Sequence, residues 1–279
     1  MNTRPTLRIA TLNILNNPSG FGKRASMLLE EIVKIQPDVI NLQEVPSLEE
    51  AQLFQAFDRI GYTDSYSASK NRHGNGFYYG NVTLSRLPIV DADELPLAVL
   101  KAEKTPVAAG IVRVEKNGNP ATIINAHLTW GSNMEWVRLR QAEQIADYAW
   151  QNWLANARPI LLAGDLNSVP ESSTVRFLSG YQEGTRQNGT LWIDAWRALG
   201  TAENEVTSDP TGYWGRMTAA AHNMDPAFIP KRRIDYIFSF GWGYGKTGGP
   251  VSLERFADKP NRDGMTASDH FGLYADILL

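Results

Sequence analysis

Six apolar stretches of this chain run into or out of residues that can do chemistry. Asn13 sits in "IATLNIL", Glu44 ends "DVINLQEV", and Asn125 and His127 end "TIINAHL". Asp165 and Asn167 end "LLAGDLN", Asp235 lies in "RRIDYIF", and Asp269 and His270 precede the apolar run of "ASDHFGLYADI". Short apolar runs of this kind read as buried strands. Residues two apart in an extended chain point the same way, so Asp165 and Asn167 aim at one point above their strand end. Turn chemistry explains any one of these sites taken alone, because Asp, Asn, Ser and Pro all favour turns. The question is what the whole set does.

Buried carboxylates must be paired, hydrogen-bonded or metal-bound. Glu44, Asp165 and Asp269 would crowd together with few cations in the motifs themselves. A divalent ion resolves that repulsion. Carboxylates with an amide suit Mg²⁺ or Mn²⁺, whereas zinc would call for cysteines or an HExxH pair, which this sequence lacks. Two imidazoles beside such an ion can donate to phosphate oxygens or move protons near neutral pH. The chemistry this favours is hydrolysis of a phosphate ester.

The elements that must carry these residues alternate between strand and helix. "LRIATLNIL" is a strand and "KRASMLLEEIVKIQ" a helix with Leu28, Leu29, Ile32 and Ile35 at helical spacing. "SLEEAQLFQAFDRI" opens on an N-terminal capping pattern, Ser47 with Glu50 three residues on. Asn117-Gly118 marks a hairpin. "EWVRLRQAEQIADYAWQNWL" is the longest helix, with Val137, Ala142, Ile145, Ala149 and Trp153 on one face. Each half of the chain thus has a strand, a helix and a second strand ending in polar residues, which hints at two similar sheet layers. No linker divides residues 1–279, so one domain is expected. Irregular substrate-side loops are expected around 200–233 and 240–265. Their Tyr213, Trp214, Phe228, Trp242 and Tyr244 either wall a pocket or close the end of a core.

The 27 basic and 30 acidic residues leave a net charge of −3, so no global basic field draws in nucleic acid. The chain has no cysteine, which removes disulfides and thiol nucleophiles. No segment has the length of a membrane span. The default expectation is a cytoplasmic monomer.

With these motifs in hand, the sequence resembles the endonuclease/exonuclease/phosphatase superfamily. "TLNIL", "LQEV", "GNVTLSRLPI", "NAHL", "GDLNSVP", "RIDYIF" and "SDHFGL" occur in that family's order, from Asn13 to His270. The resemblance implies a four-layer α/β/β/α sandwich, two mostly antiparallel sheets flanked by helices. It implies Glu44 as the principal Mg²⁺ (or Mn²⁺) ligand, with Asn13 and Asp269 close to the metal. Asp165 would orient or deprotonate the attacking water, and Asn167 would hold a phosphate oxygen. His127 and His270 would contact the scissile phosphate, with Asp235 orienting His270. Arg86, in "LSRLP", is a position often basic in relatives and is weighed as a phosphate contact against a surface ion pair.

Substrate is a separate matter, because one metal centre on this fold serves DNA, RNA, lipid and sugar phosphates. The first expectation is a metal-dependent phosphoesterase acting on an accessible ester or diester. A DNA or RNA nuclease, including one for abasic sites, is the alternative. A sphingomyelinase-like enzyme and a non-catalytic binding module rank lower. Trp130 and Trp136 follow His127 closely; either can stack on a base or sugar, and Trp136 can instead pin the long helix to the sheet. Lys231, Arg232 and Arg233, with Arg216, Lys246, Arg255, Lys259 and Arg262, make a modest local basic cluster.

Overall fold

The computed structural model describes residues 4–46, 50–72, 78–99, 107–156, 158–200, 205–241 and 247–279. The first sheet contains β1 (Thr6–Asn13), β2 (Val39–Pro46), β3 (Asp64–Arg72), β4 (Tyr78–Ser85), β11 (Pro250–Phe256) and β12 (Gly272–Leu278), in the order β11-β12-β1-β2-β4-β3. The second contains β5 (Ile89–Leu97), β6 (Val107–Lys116), β7 (Asn119–His127), β8 (Ile160–Asp165), β9 (Trp192–Asp194) and β10 (Asp235–Phe240), in the order β5-β6-β7-β8-β10-β9. Only β1 with β2 and β7 with β8 pair in parallel among the described strands. Each of these pairs is bridged by a helix, α1 (Phe21–Ile35) in the first and α3 (Glu135–Asn156) in the second. The halves that share a rhythm in the sequence are therefore two βαβ units, one at the centre of each sheet.

Alternation sorts the side chains into layers. Leu7, Ile9 and Val39 of one sheet meet Ile123, Leu161 and Ile237 of the other in the inter-sheet core. Their neighbours Ala10 and Ile40 face outward onto Leu28 and Ile32 of α1 and Phe57 of α2 (Glu50–Asp58). On the opposite side Ile124, Leu162 and Phe238 meet Ala142, Ile145 and Ala149 of α3. The expected four-layer sandwich is the observed one. Asn117 and Gly118 turn the β6–β7 hairpin with φ of 52° and 77°, the left-handed pair that a tight Asn-Gly turn requires.

The inter-sheet core gives way to a polar seam near the strand ends. Asn41 Nδ2 donates to the carbonyls of Ala163 at 2.9 Å and Ile124 at 3.2 Å. Gln43 Nε2 donates to Asn125 Oδ1 at 2.8 Å, and Asn125 Nδ2 donates to Val82 O at 3.0 Å. Asn125, grouped in the sequence with the chemistry-bearing residues, thus ties one sheet to the other. Buried amides with partners on both sheets fix their relative register, since any slip would leave them unsatisfied.

Within the expected 200–233 loop, the described residues 205–233 are less irregular than expected. They contain α4 (Tyr213–Ala221) and a 3-10 turn at Pro226–Phe228. Trp214 is buried, donating Nε1 to Thr266 O at 2.8 Å, so it closes a core end; Phe228 is 86% exposed. Ser47, Trp242, Tyr244 and Lys246 lie outside the described residues. Among the described residues no helix is long and apolar enough to cross a membrane.

Candidate active site

Strand direction gathers the polar residues at one edge. The last residues of β1, β7 and β8 are Asn13, His127 and Asp165, and parallel pairing puts His127 opposite Asp165. Antiparallel β10 begins where β8 ends, so Asp235 also lies opposite Asp165. β12 runs antiparallel to β1, which brings Asp269 and His270, just ahead of it, to the same edge. Asn13, His127, Asp165 and Asp235 all share the alternation of the inter-sheet residues, so their side chains enter the gap between the sheets.

Glu44 does not follow that rule. Counting from Ile40 and Leu42, it should face the helices. Instead its φ is 58°, and the β2–β4 register shifts between Leu42 and Val45. A left-handed residue at a ladder irregularity re-aims its side chain, a recurring device beside functional sites.

The contacts converge on two carboxylates. Asn13 Nδ2 donates to Glu44 Oε1 at 2.9 Å and to Asp165 Oδ2 at 3.0 Å. The backbone N–H of Asn16 donates to Glu44 Oε2 at 2.8 Å. His127 Nε2 is 3.6 Å from Asp165 Oδ2 and 3.9 Å from Glu44 Oε1. His270 Nε2 is 3.9 Å from the same Asp165 oxygen, and its Nδ1 lies 2.9 Å from Asp235 Oδ2. Asn167 has φ 49°; its N–H donates to Asp165 Oδ1 at 2.8 Å and its Nδ2 to Leu128 O at 3.1 Å. The Asn167 amide nitrogen therefore ties two loops together. Asp165 itself is 1% exposed.

Charge in this space is strongly unbalanced. Glu44, Asp165, Asp235 and Asp269 face two imidazoles, and His270 responds: burial works against its charged ring, but Asp235, Asp165 and Asp269 outweigh it and hold its pKa well above the ordinary value. Asp269 is mostly buried, and burial pushes its carboxyl above the ordinary range; the His270 charge opposes this and Glu44 adds to it. A cation beside Glu44 and Asp269 would relieve that repulsion, and their carboxylate oxygens fit Mg²⁺ or Mn²⁺. Asn13 turns its Nδ2, not its oxygen, toward Glu44, since its Oδ1 accepts from Leu15 N–H at 3.0 Å, so it braces Glu44 rather than offering a ligand. A second acidic grouping exists: ligand atoms of Asp165, Asp235 and His270 lie within 4.8 Å of one another, all buried.

Two expectations need correction. Arg86 follows β4 at Ser85, which pairs with Val39 at the start of β2, the end remote from Glu44. Its guanidinium donates to Ile60 O at 3.1 Å and to Gln36 Oε1 and lies 4.6 Å from the centre of the Tyr62 ring, so it packs the far edge of the sheet. Trp136 does not pin α3; it is solvent-exposed at the helix start. Trp130 is 72% exposed on the loop that leaves His127. Three members of the basic cluster are paired with acids, Lys231 on Asp209 at 2.8 Å, Arg233 buried on Asp194 at 2.9 Å and Arg255 on Asp258 at 2.9 Å. Sequence reasoning missed Ser268, whose Oγ donates to Asn13 O at 2.6 Å and accepts from His270 N at 3.2 Å. Its position inside "SDH" was the available signal.

Comparison with known proteins agrees with this fold. Residues 10–270 match the Endonuclease/Exonuclease/phosphatase family. The Arabidopsis thaliana protein "Carbon catabolite repressor protein 4 homolog 3" is 24% identical over 166 residues, 57% of this chain and 36% of that protein. The chain spans less than half the length of the sequence relatives it matches. Among solved structures, D. rerio TDP2 complexed with a single-strand DNA product superposes with a TM-score of 0.74 at 19% identity, covering 98% of this chain and 99% of that one. An endonuclease/exonuclease/phosphatase from Beutenbergia cavernae superposes with a TM-score of 0.73 at 21% identity, covering 99% and 72%. With the fold, the motif order and the match spanning nearly the whole chain, the protein belongs to the Endonuclease/Exonuclease/phosphatase family.

Proposed function

We propose that this protein hydrolyses accessible phosphate esters or diesters with Mg²⁺ or Mn²⁺ held by Glu44 and Asp269, with Asn13 bracing Glu44 through its Nδ2. The observation that carries the reading is the convergence on Asp165 Oδ2, which Asn13 contacts at 3.0 Å while His127 and His270 approach to 3.6 and 3.9 Å. A bound divalent cation supplies Lewis-acid neutralisation of the phosphate charge. Asp165 orients the attacking water and accepts its proton; the Asn167 N–H fixes the other oxygen of the same carboxylate. His270, kept cationic by Asp235, donates to a phosphate oxygen as negative charge builds there. His127 reaches the same oxygens from the second sheet. Asp235 keeps the His270 proton on Nε2, facing the substrate. The Asp165–Asp235–His270 group suits this proton-handling role better than metal ligation, because a hard cation retains waters and needs open positions that a fully buried triplet denies it.

The test is hydrolysis of bis(4-nitrophenyl) phosphate with Mg²⁺, with Mn²⁺ and with EDTA. Metal-dependent turnover that Asp165→Asn abolishes supports the reading; equal turnover in EDTA ends it.

A second reading, cleavage at a single-stranded nucleic acid end, is favoured by one observation: Trp130 stands exposed three residues after His127, where it can stack on a base. The similar D. rerio structure holds a single-strand DNA product. The paired state of Lys231, Arg233 and Arg255 weighs against a long electrostatic groove, so a short end fits better than a duplex track. Cleavage of oligonucleotides falling steeply with salt would favour the longer contact.

A further inference from the structure

Two buried arginines occupy equivalent places in the two βαβ units. Arg24 lies eleven positions after Asn13, the last residue of β1; Arg138 lies eleven positions after His127, the last residue of β7. Each is the fourth residue of its helix, α1 or α3, and each backbone N–H bonds the carbonyl four residues earlier, Gly20 or Met134. They are 2% and 4% exposed.

Both guanidiniums reach back to the loop between strand and helix. Arg24 donates to the carbonyls of Ile14 and Asn17, to Leu15 O at 3.2 Å, and across to Ala267 O at 3.3 Å. It lies 5.4 and 5.1 Å from the ring centres of Phe21 and Trp214. Arg138 donates to Thr129 O at 3.0 Å and Gly131 O at 2.7 Å, the carbonyls on either side of Trp130. Its Nε lies 3.0 Å from Ser168 Oγ and 3.1 Å from Glu135 Oε2. Asn17 and Gly131, held by the two arginines, stand four residues beyond Asn13 and His127 respectively.

A buried cation on several carbonyls is costly when those bonds are lost, so each guanidinium holds its loop carbonyls in one arrangement. What the loops carry differs. The Arg24 loop contains the Asn16 N–H that fixes Glu44, and its Ala267 contact leads into Asp269. The Arg138 loop presents Trp130 and continues through Ser168 to Asn167.

We propose that Arg24 and Arg138 are duplicated positioning residues, Arg24 setting the metal side of the site and Arg138 the substrate side. The assignment of the two sides rests on the reading under Proposed function; the clamping itself does not. Lysine at either position keeps the charge but loses the fork that spans several carbonyls at once.

Three readouts on full-length wild type, Arg24→Lys and Arg138→Lys decide it: Mn²⁺ affinity by titration calorimetry, kcat and KM on bis(4-nitrophenyl) phosphate at saturating Mn²⁺, and hydrogen–deuterium exchange of 14–17 and 128–131. Arg24→Lys should weaken Mn²⁺ by about tenfold, the scale of outer-shell losses at metal sites, and speed exchange in 14–17 alone. Arg138→Lys should leave Mn²⁺ affinity unchanged, raise KM more than it lowers kcat, and speed exchange in 128–131 alone. Exchange that is unchanged, or faster throughout the chain, overturns the proposal. If a lysine variant does not fold, Ser168→Ala and Trp214→Leu each remove one contact of a guanidinium and should move the same readouts by less. A wild type that neither binds Mn²⁺ nor hydrolyses the diester refutes the functional reading, while the exchange pattern still decides the clamps.

Discussion

His270 Nδ1 lies 2.9 Å from Asp235 Oδ2, with both residues buried. The ion pair holds the His270 pKa well above the ordinary value of about 6.5, since Asp235, Asp165 and Asp269 outweigh the burial that opposes the charged ring. If the cationic ring assists the reaction, activity falls as pH rises through the raised pKa. Asp235→Asn removes a favouring charge and lowers that pKa, so the alkaline limb of the pH–rate profile should move to lower pH. The rate should also drop by about 10²–10⁴-fold, the range of general acid–base assistance. A profile identical to wild type would take Asp235 out of the reaction.

Glu44 accepts from both Asn13 and Asn16 in an orientation reached only through its left-handed backbone. Glu44→Gln preserves shape and removes the charge. Mn²⁺ affinity should fall by at least about tenfold, which even outer-shell changes achieve. Isothermal titration measures this directly. Thermal stability without metal should hold or rise, because one of four crowded carboxylates has become neutral. Undiminished Mn²⁺ affinity would move the metal elsewhere, with the Asp165–Asp235–His270 group as the next candidate.

Most of the site was legible in the sequence because strand ends announce themselves. Asn13, His127 and Asp165 close apolar runs, and alternation alone predicts that they share a face with Ile9, Ile123 and Leu161. The aim of Glu44 was not legible, because alternation turns it outward and only the register shift after Leu42 reverses this. Arg86 was misjudged for a related reason: β4 runs antiparallel to β2, so the residue after β4 lands at the opposite edge. α4 escaped because "YWGRMTAAA" is short and carries a glycine, and it is held by tertiary contacts such as the buried Trp214. The clamp pair was not legible because the two βαβ units share too little residue identity to be aligned before their strands and helices are placed.

Gly164 precedes Asp165 next to the end of the parallel β7–β8 ladder, opposite Ala126. A Cβ at Gly164 would collide with the Ala126 carbonyl oxygen and carbon, backbone atoms of a central strand that have nowhere to move. Gly164→Ala should therefore destabilise the fold by about 1–3 kcal/mol or more, the usual scale of overpacking. The displaced strand would carry Asp165 away from His127 and Asn13. Chemical denaturation measures the first effect, and residual diesterase activity of the folded fraction measures the second. Wild-type stability would mean that the two strands are farther apart than described.

Trp130 is 72% exposed, so its ring contributes little to folding, and Trp130→Ala should change stability by no more than about 0.5 kcal/mol. Its value must then lie in what it touches from solution. If it stacks on a base next to the scissile phosphate, its loss should weaken binding of a short oligonucleotide by about 1–3 kcal/mol. Hydrolysis of a phosphate ester without an aromatic group should be unaffected, because Asp165 and the two histidines are untouched. The comparison separates substrate classes with one variant: a penalty confined to nucleic acid supports cleavage of single-stranded ends. An equal penalty on methyl phosphate diesters would make Trp130 a structural part of the loop that Arg138 holds. No penalty on either would leave the nucleic acid reading without its supporting residue.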